Sequence, residues 1–153
     1  MVNNHSTQEN PVGRFMVAAG GIIVNQNHKI LILQRSVKLD WQPGEWETMY
    51  GRLAQFEDVR TGLAREIKEE TGLVVEIKQP LSVWHIFRGE ENIAENELIG
   101  ITFLCEASTT DVHISAEHDE YRWVTPEDAL KLVTIEGIRR DINAYLDLQG
   151  PTL

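Results

Sequence analysis

The stretch from Asp58 to Gly72, DVRTGLAREIKEETG, carries both a start and a stop signal for a helix. Asp58 suits the N-cap, where a short side-chain oxygen accepts from the first unpaired N–H groups. Gly72 suits the left-handed residue that ends a helix. Between them Val59, Leu63 and Ile67 recur every fourth position and predict a core-facing stripe. Gly62 reads as a local defect, costing roughly 1 kcal/mol against alanine. The same helix crowds Glu66, Glu69 and Glu70 into an arc of about 100° beside the apolar stripe. Arg65 relieves Glu69 at i,i+4, but Glu66 and Glu70 are a like-charge pair at that spacing with no relief. A solvated acidic face is the ordinary reading of such a helix. Unrelieved carboxylates also suit a hard divalent cation, since Mg²⁺ takes oxygen ligands from a few carboxylates and from substrate phosphates.

The segments around this helix read mostly as strands. Phe15 to Val24 is small and apolar, NQNH is a turn, and KILILQR follows, which predicts strand, turn and strand. Gly20-Gly21 inside a strand pattern marks a bulge or close packing; no helix follows it, as a phosphate loop would need. SVKLDWQPGEW reads as a loop with a turn at Pro43-Gly44. LVVEIKQPLSVWHIF and ELIGITFLCEA predict a long antiparallel pair, and EYRWV a further strand. TPEDALKLV opens with a Thr cap and a Pro at the first helical position, and a last helix covers Ile135 to Leu148. Strands, helix, strands, helix is the order of an α/β or α+β sandwich around a mixed sheet.

A chain of 153 residues suits one domain with a full core, read here as residues 14–153 after a loose, flexible N-terminus over 1–13. The formal net charge of -10 weighs against broad binding to nucleic acid or to anionic membrane. It leaves room for a small phosphorylated ligand held by local arginines and by cations on the acidic cluster. No apolar run reaches the length of a membrane span, and MVNNHSTQENPVGR has no secretory apolar centre. Cys105, the only cysteine, sits in the strand pattern ITFLCEA and reads as a core thiol; a cytoplasmic setting is expected.

Gly51, Glu57 and Arg65-Glu66-Ile67-x-Glu69-Glu70-x-Gly72-Leu73 match the Nudix box at nine defined positions over 23 residues. The chain thus resembles the Nudix hydrolases, and the likeness extends through KILILQRS, PGEWE and EHDEYRWVTPEDAL to cover about Phe15 to Leu148. The resemblance implies an α/β/α sandwich around a mixed β-sheet. It implies hydrolysis of a nucleoside diphosphate linked to a further group X, with Mg²⁺ as cofactor and Mn²⁺ as a substitute. By motif position, Glu66, Glu69 and Glu70 would bind metal, joined by the backbone carbonyl of Tyr50. Arg65 would hold Glu66, Glu57 would brace the loop entering the helix, and Gly51 would give it a tight backbone. Gly72 closes the motif helix. The chain departs from the family where Met49-Tyr50 replaces the usual Pro-Gly before Gly51, and a tyrosine there would be strained if the backbone needs positive φ.

Outside the box, the family often adds an acid from the loop before the late strand. Counting back from Trp123, Glu117 is preferred to Glu120. His118 is expected at the surface, and His85 on a strand with its face undetermined. Arg35 and Arg52 are placed to reach a phosphate. Trp46 and Tyr50 flank the entry to the box, where either would stack on a base; core packing is the equal reading for Trp46 and the better one for Trp123. Signals of the ADP-sugar, dinucleoside polyphosphate, NADH and coenzyme A branches are absent, which leaves a (deoxy)nucleoside triphosphate, oxidised bases included, as the expected substrate. A nucleotide sugar or a non-nucleoside diphosphate, and a nucleotide-binding sensor without turnover, are the alternatives. The expected partner is a small-molecule nucleotide, with a homodimer left open.

Overall fold

The computed structural model describes residues 12–151. The expected flexible stretch, residues 1–13, lies outside them except for Val12 and Gly13, both exposed. The strands are β1 (Met16–Val24), β2 (Ile30–Arg35), β3 (Trp46–Glu47), β4 (Met49–Arg52), β5 (Val75–Phe87), β6 (Glu97–Ala107) and β7 (His118–Val124); the helices are α1 (Val59–Thr71), α2 (Pro126–Leu132) and α3 (Glu136–Gln149). All seven strands join one sheet, with the path β3-β2-β1-β6-β5, β4 beside β1 and β7 beside β2. The sheet is mixed: β1 runs parallel to β6 from Met16↔Leu98 to Val24↔Glu106, and antiparallel to β4.

The continuous apolar run of β1 follows from burial of both its faces, because successive side chains point to opposite sides of a sheet. Ile23 faces α1 with Leu63, Ile67, Met49 and Phe103. Ile22 faces the other layer with Ala129 of α2 and Ile138, Ile142 and Tyr145 of α3. The result is the expected α/β/α sandwich. Leu63 and Ile67 are fully buried, each contributing about 1.5–3 kcal/mol relative to an exposed position. Cys105 is buried, as its apolar neighbours predict, and burial pushes its thiol up to about 12. No helix among the described residues is long and apolar enough to cross a membrane.

Several local expectations need correction. SVKLDWQPGEW was expected to be loop throughout, but its last tryptophan opens the short strand β3, and β4 follows it. Gly62 is no defect, because a Cβ there would stand 2.4 Å from Leu53 Cδ2 and 2.9 Å from the Glu57 carboxylate. The late strand begins at His118, two residues before the expected Glu120. Gly20-Gly21 lies in regular strand, packed closely rather than bulged.

Candidate active site

Helix α1 is fixed at both ends by its own sequence. Asp58 Oδ2 accepts from the N–H groups of Arg60 and Thr61, both at 3.1 Å, which holds its carboxyl below the ordinary range. Gly72 adopts φ 72° and returns its N–H to Lys68 at 3.0 Å. The last carbonyls of α1 bond to the loop that leads into β7: His113 N–H donates to Thr71 at 2.8 Å and Ser115 N–H to Glu70 at 3.0 Å. Orphan carbonyls at a helix C-terminus need such partners. Here they carry Glu117 to the same wall as Glu70.

Arg65 is the hub of the box. It donates to Glu57 from Nε at 2.7 Å and from Nη2 at 3.0 Å, a bidentate pair, and from Nη1 to Glu66 at 3.0 Å and Glu69 at 3.2 Å. The Arg65 guanidinium, with the Ala54 N–H, holds the Glu57 carboxyl at about 2. Glu66 crosses the β4 backbone at Gly51, where a Cβ would stand 2.2 Å from its Cγ. The side chains of Glu66 and Glu70 are 17% and 13% exposed, whereas that of Glu69 is 59% exposed and turned toward solvent.

The half-buried acids meet two residues that sequence reasoning missed. Glu47 of β3 accepts from Arg35 Nη1 at 3.1 Å and from His118 Nε2 at 2.9 Å. His118, expected at the surface, has its side chain 2% exposed, because as the first residue of β7 it pairs with Arg35 of β2. Its Nδ1 is buried without a hydrogen-bond partner among the described residues and lies 3.8 Å from Glu70 Oε2. Burial, then the charges of Glu117, Glu66 and Glu47, push the Glu70 carboxyl up to about 8. Glu47 carries no sequence signal, since a two-residue strand has no periodicity to read, and His118 stands at the very start of β7, where alternation has not yet begun.

Glu66, Glu70, Glu117, Glu47, Arg35 and Arg52 all line one cleft of about 540 Å³, which continues over the sheet toward the start of α3. Arg52 stands at its rim without a carboxylate partner among the described residues. Arg35 also donates from Nε to the Trp41 carbonyl at 2.9 Å. Glu120 is off the cleft, exposed and paired with Arg122 at 2.7 Å. Trp46 is not available to a base: it is buried in the α3-side core, with the Arg122 guanidinium 4.7 Å over its ring. Trp123 is half-buried against the α1-side core, and His85 is exposed, 2.8 Å from Glu97. Tyr50 lies in regular strand without positive φ, so replacing Pro-Gly costs no backbone strain. A second depression of about 600 Å³, around Val24, Leu104 and Tyr145, is lined by no arginine or lysine; its two acids, Glu76 and Glu106, are both paired with Lys78, at 2.8 and 3.2 Å.

The donor set of the wall is all carboxylate oxygen, the chemistry that suits Mg²⁺ or Mn²⁺ rather than a softer metal. Among the described residues no three such side chains are closed into a finished cage. The carboxylate oxygens of the wall fit a hard divalent cation.

Comparison with known proteins agrees with this geometry. The family model described as NUDIX domain matches residues 14–146. A MutT-like protein of Streptomyces ambofaciens is 29% identical over 136 residues, covering 88% of this chain and 79% of that protein. Nucleoside triphosphatase NudI of Klebsiella pneumoniae is 30% identical over 115 residues, covering 70% of this chain and 79% of that one. The solved MutT protein of Methanosarcina mazei Go1 aligns with a TM-score of 0.74 at 26% identity, over 93% of this chain and 99% of that one. Two longer relatives are spanned only to 36% and 32% of their length. With the box, the sandwich and the family match in agreement, the chain belongs to the Nudix hydrolase family.

Proposed function

We propose that this protein hydrolyses a phosphoanhydride bond of a (deoxy)nucleoside triphosphate, oxidised bases included, in the cytoplasm and with Mg²⁺. The observation that carries the reading is the convergence of Glu66, Glu70, Glu117 and Glu47 on one wall of a cleft that also holds Arg35 and Arg52. The NudI relative is named a nucleoside triphosphatase.

Glu66 and Glu70 would hold the cation, with Glu69 and the Tyr50 carbonyl as the remaining candidates from the box. Glu69 would have to turn inward from its bond to Arg65. The chemistry supplied by a bound Mg²⁺ is neutralisation of phosphate oxygens and acidification of a water. Glu117 is the candidate to take the proton as the water oxygen bonds to phosphorus and the anhydride oxygen leaves on the departing phosphate. Arg52 would bind the phosphate chain. Arg35, shared with Glu47, would steady the wall and face the same charges.

The test is a panel of nucleoside triphosphates, nucleotide sugars and non-nucleoside diphosphates, scored for phosphate and pyrophosphate release with Mg²⁺ and with excess chelator. Preferential, chelator-sensitive turnover of a triphosphate supports the reading. Preference for a sugar or isoprenoid diphosphate moves the substrate, and binding without turnover of any of them indicates a sensor.

A further inference from the structure

Asp141 of α3 is fully buried and takes no part in the carboxylate wall. Hydroxyl groups from three strands converge on it: Tyr50 of β4 at 2.5 Å, Ser82 of β5 at 2.6 Å and Thr102 of β6 at 2.7 Å. Arg140 donates to it from Nε at 3.1 Å and Nη2 at 3.0 Å. Thr102 accepts in turn from the indole N–H of Trp84 at 3.0 Å. An indole nitrogen only donates, so the Thr102 proton is free to point at Asp141. The chain of bonds thus has one direction, from Trp84 through Thr102 to the carboxylate.

Both aromatic rings lie down on the sheet. The ring of Tyr50 occupies the space of a Cβ on Gly20, within 2.5 Å of where it would be, and that of Trp84 the space of a Cβ on Gly100, within 2.0 Å. The rings meet edge to face with centroids 5.7 Å apart. Strand register puts Tyr50, Gly20, Thr102 and Ser82 in one row across the sheet, and Arg52, Ala18, Gly100 and Trp84 in the next. Tyr50 and Trp84 line the cleft beyond the carboxylates, with Arg52 and Arg88 also on its lining. A buried carboxylate is expensive to desolvate, and Asp141 shares its helix face with the apolar Ile138, Ile142 and Tyr145. An apolar residue there would serve packing alone. A fully bonded polar network instead fixes the side chains it holds in one arrangement.

Resting on the reading of this cleft as a nucleotide site, we propose that Trp84 is the stacking surface for the substrate's base. Asp141 is the positioning residue that holds that surface, through Thr102 and Tyr50. The base then lies over the sheet while the phosphates reach back to the carboxylate wall.

The test measures binding, with Mg²⁺, of a nucleoside triphosphate whose α,β-bridging oxygen is a methylene, against inorganic triphosphate, which has no base. Wild type should bind the nucleotide more tightly. Trp84→Ala should weaken the nucleotide by about 10- to 100-fold, the range of one lost base stack, and leave triphosphate unchanged. Thr102→Val keeps the shape and removes only the hydroxyl; it and Asp141→Asn should cost about tenfold on the nucleotide alone, in the range of a broken buried hydrogen bond. Thr102→Ser should retain affinity. If Asp141→Asn does not fold, Thr102→Val decides. The proposal is overturned if wild type binds triphosphate as tightly as the nucleotide, or if Thr102→Val binds the nucleotide like wild type. It is equally overturned if that variant weakens both ligands alike. Base-dependent binding of this kind in a chain that turns over no nucleotide would uphold the subsite and sink the hydrolase reading instead.

Discussion

The backbone of Gly51 and the side chain of Glu66 are in direct contact, so close that a Cβ on residue 51 would stand 2.2 Å from Cγ and 2.8 Å from Cβ of the glutamate. The contact sets where Glu66 enters the cleft. Gly51→Ala should therefore push Glu66 off its position while leaving its charge. Turnover is expected to fall by about 10²-fold, as for a misplaced catalytic group, and stability by about 1–3 kcal/mol from overpacking. Steady-state kinetics and thermal melts measure the two separately; a variant with wild-type turnover would detach Glu66 from the reaction.

Glu66→Gln keeps the shape and removes the charge. Turnover should drop by about 10² or more, in the range of lost acid–base or metal assistance. The melting temperature should hold or rise slightly, because the like-charge neighbour of Glu70 is gone and Arg65 keeps Glu57. Ile67→Ala, one residue away on the buried stripe, should do the reverse and cost roughly 2–5 kcal/mol.

Glu70 links stability to pH. Its carboxyl is raised from 4.5 to about 8 in the fold, so between these values the folded, cation-free protein holds a proton that the unfolded chain has released. Stability from that proton is complete below the lower value and is lost as pH rises through the upper one. The melting temperature in chelator should fall between about pH 5 and pH 8, and Glu70→Gln should flatten the decline. Millimolar Mg²⁺ should raise it most at the alkaline end, since the cation binds only the folded arrangement. An equal slope in Glu70→Gln would assign the pH response to another group.

Glu117 and Glu120 sit near each other in sequence but only Glu117 is on the cleft. Glu117→Gln should lower turnover by about 10²-fold or more as a lost proton acceptor. Glu120→Gln gives up an exposed ion pair with Arg122 and should change stability by less than about 1 kcal/mol and turnover not at all. Matching turnover losses in the two variants would remove Glu117 from its role.

Legibility in the sequence followed how local each feature is. The caps of α1, its two stripes and the box spacing are written within a few turns of chain, and the helix lies where they place it. Strands β3 and β4 are too short to show alternation, and they pair because β1 and β2 are already there. The burial of His118 depends on the loop that precedes β7 being bonded to the end of α1, which no neighbouring residue announces. Asp141 did leave a trace: Ile138, Asp141, Ile142 and Tyr145 are a helix's buried stripe with one carboxylate in it. Trp46 could not be assigned to core or cleft from sequence, because alternation alone does not say which face of a short strand is covered.

The hydrogen bonds that define the cleft span long stretches of chain: 71 residues from Glu47 to His118 and 91 from Tyr50 to Asp141. Strand β1, at the centre, waits for β6 before its parallel pairing exists. Closing such loops carries an entropic cost that only the finished contacts offset, and non-local pairing slows folding. Helix α1 can form as soon as its own residues are made, but its acids acquire their surroundings only when β3 and β7 dock. During synthesis the emerging chain therefore carries the acidic helix well before it has a cleft.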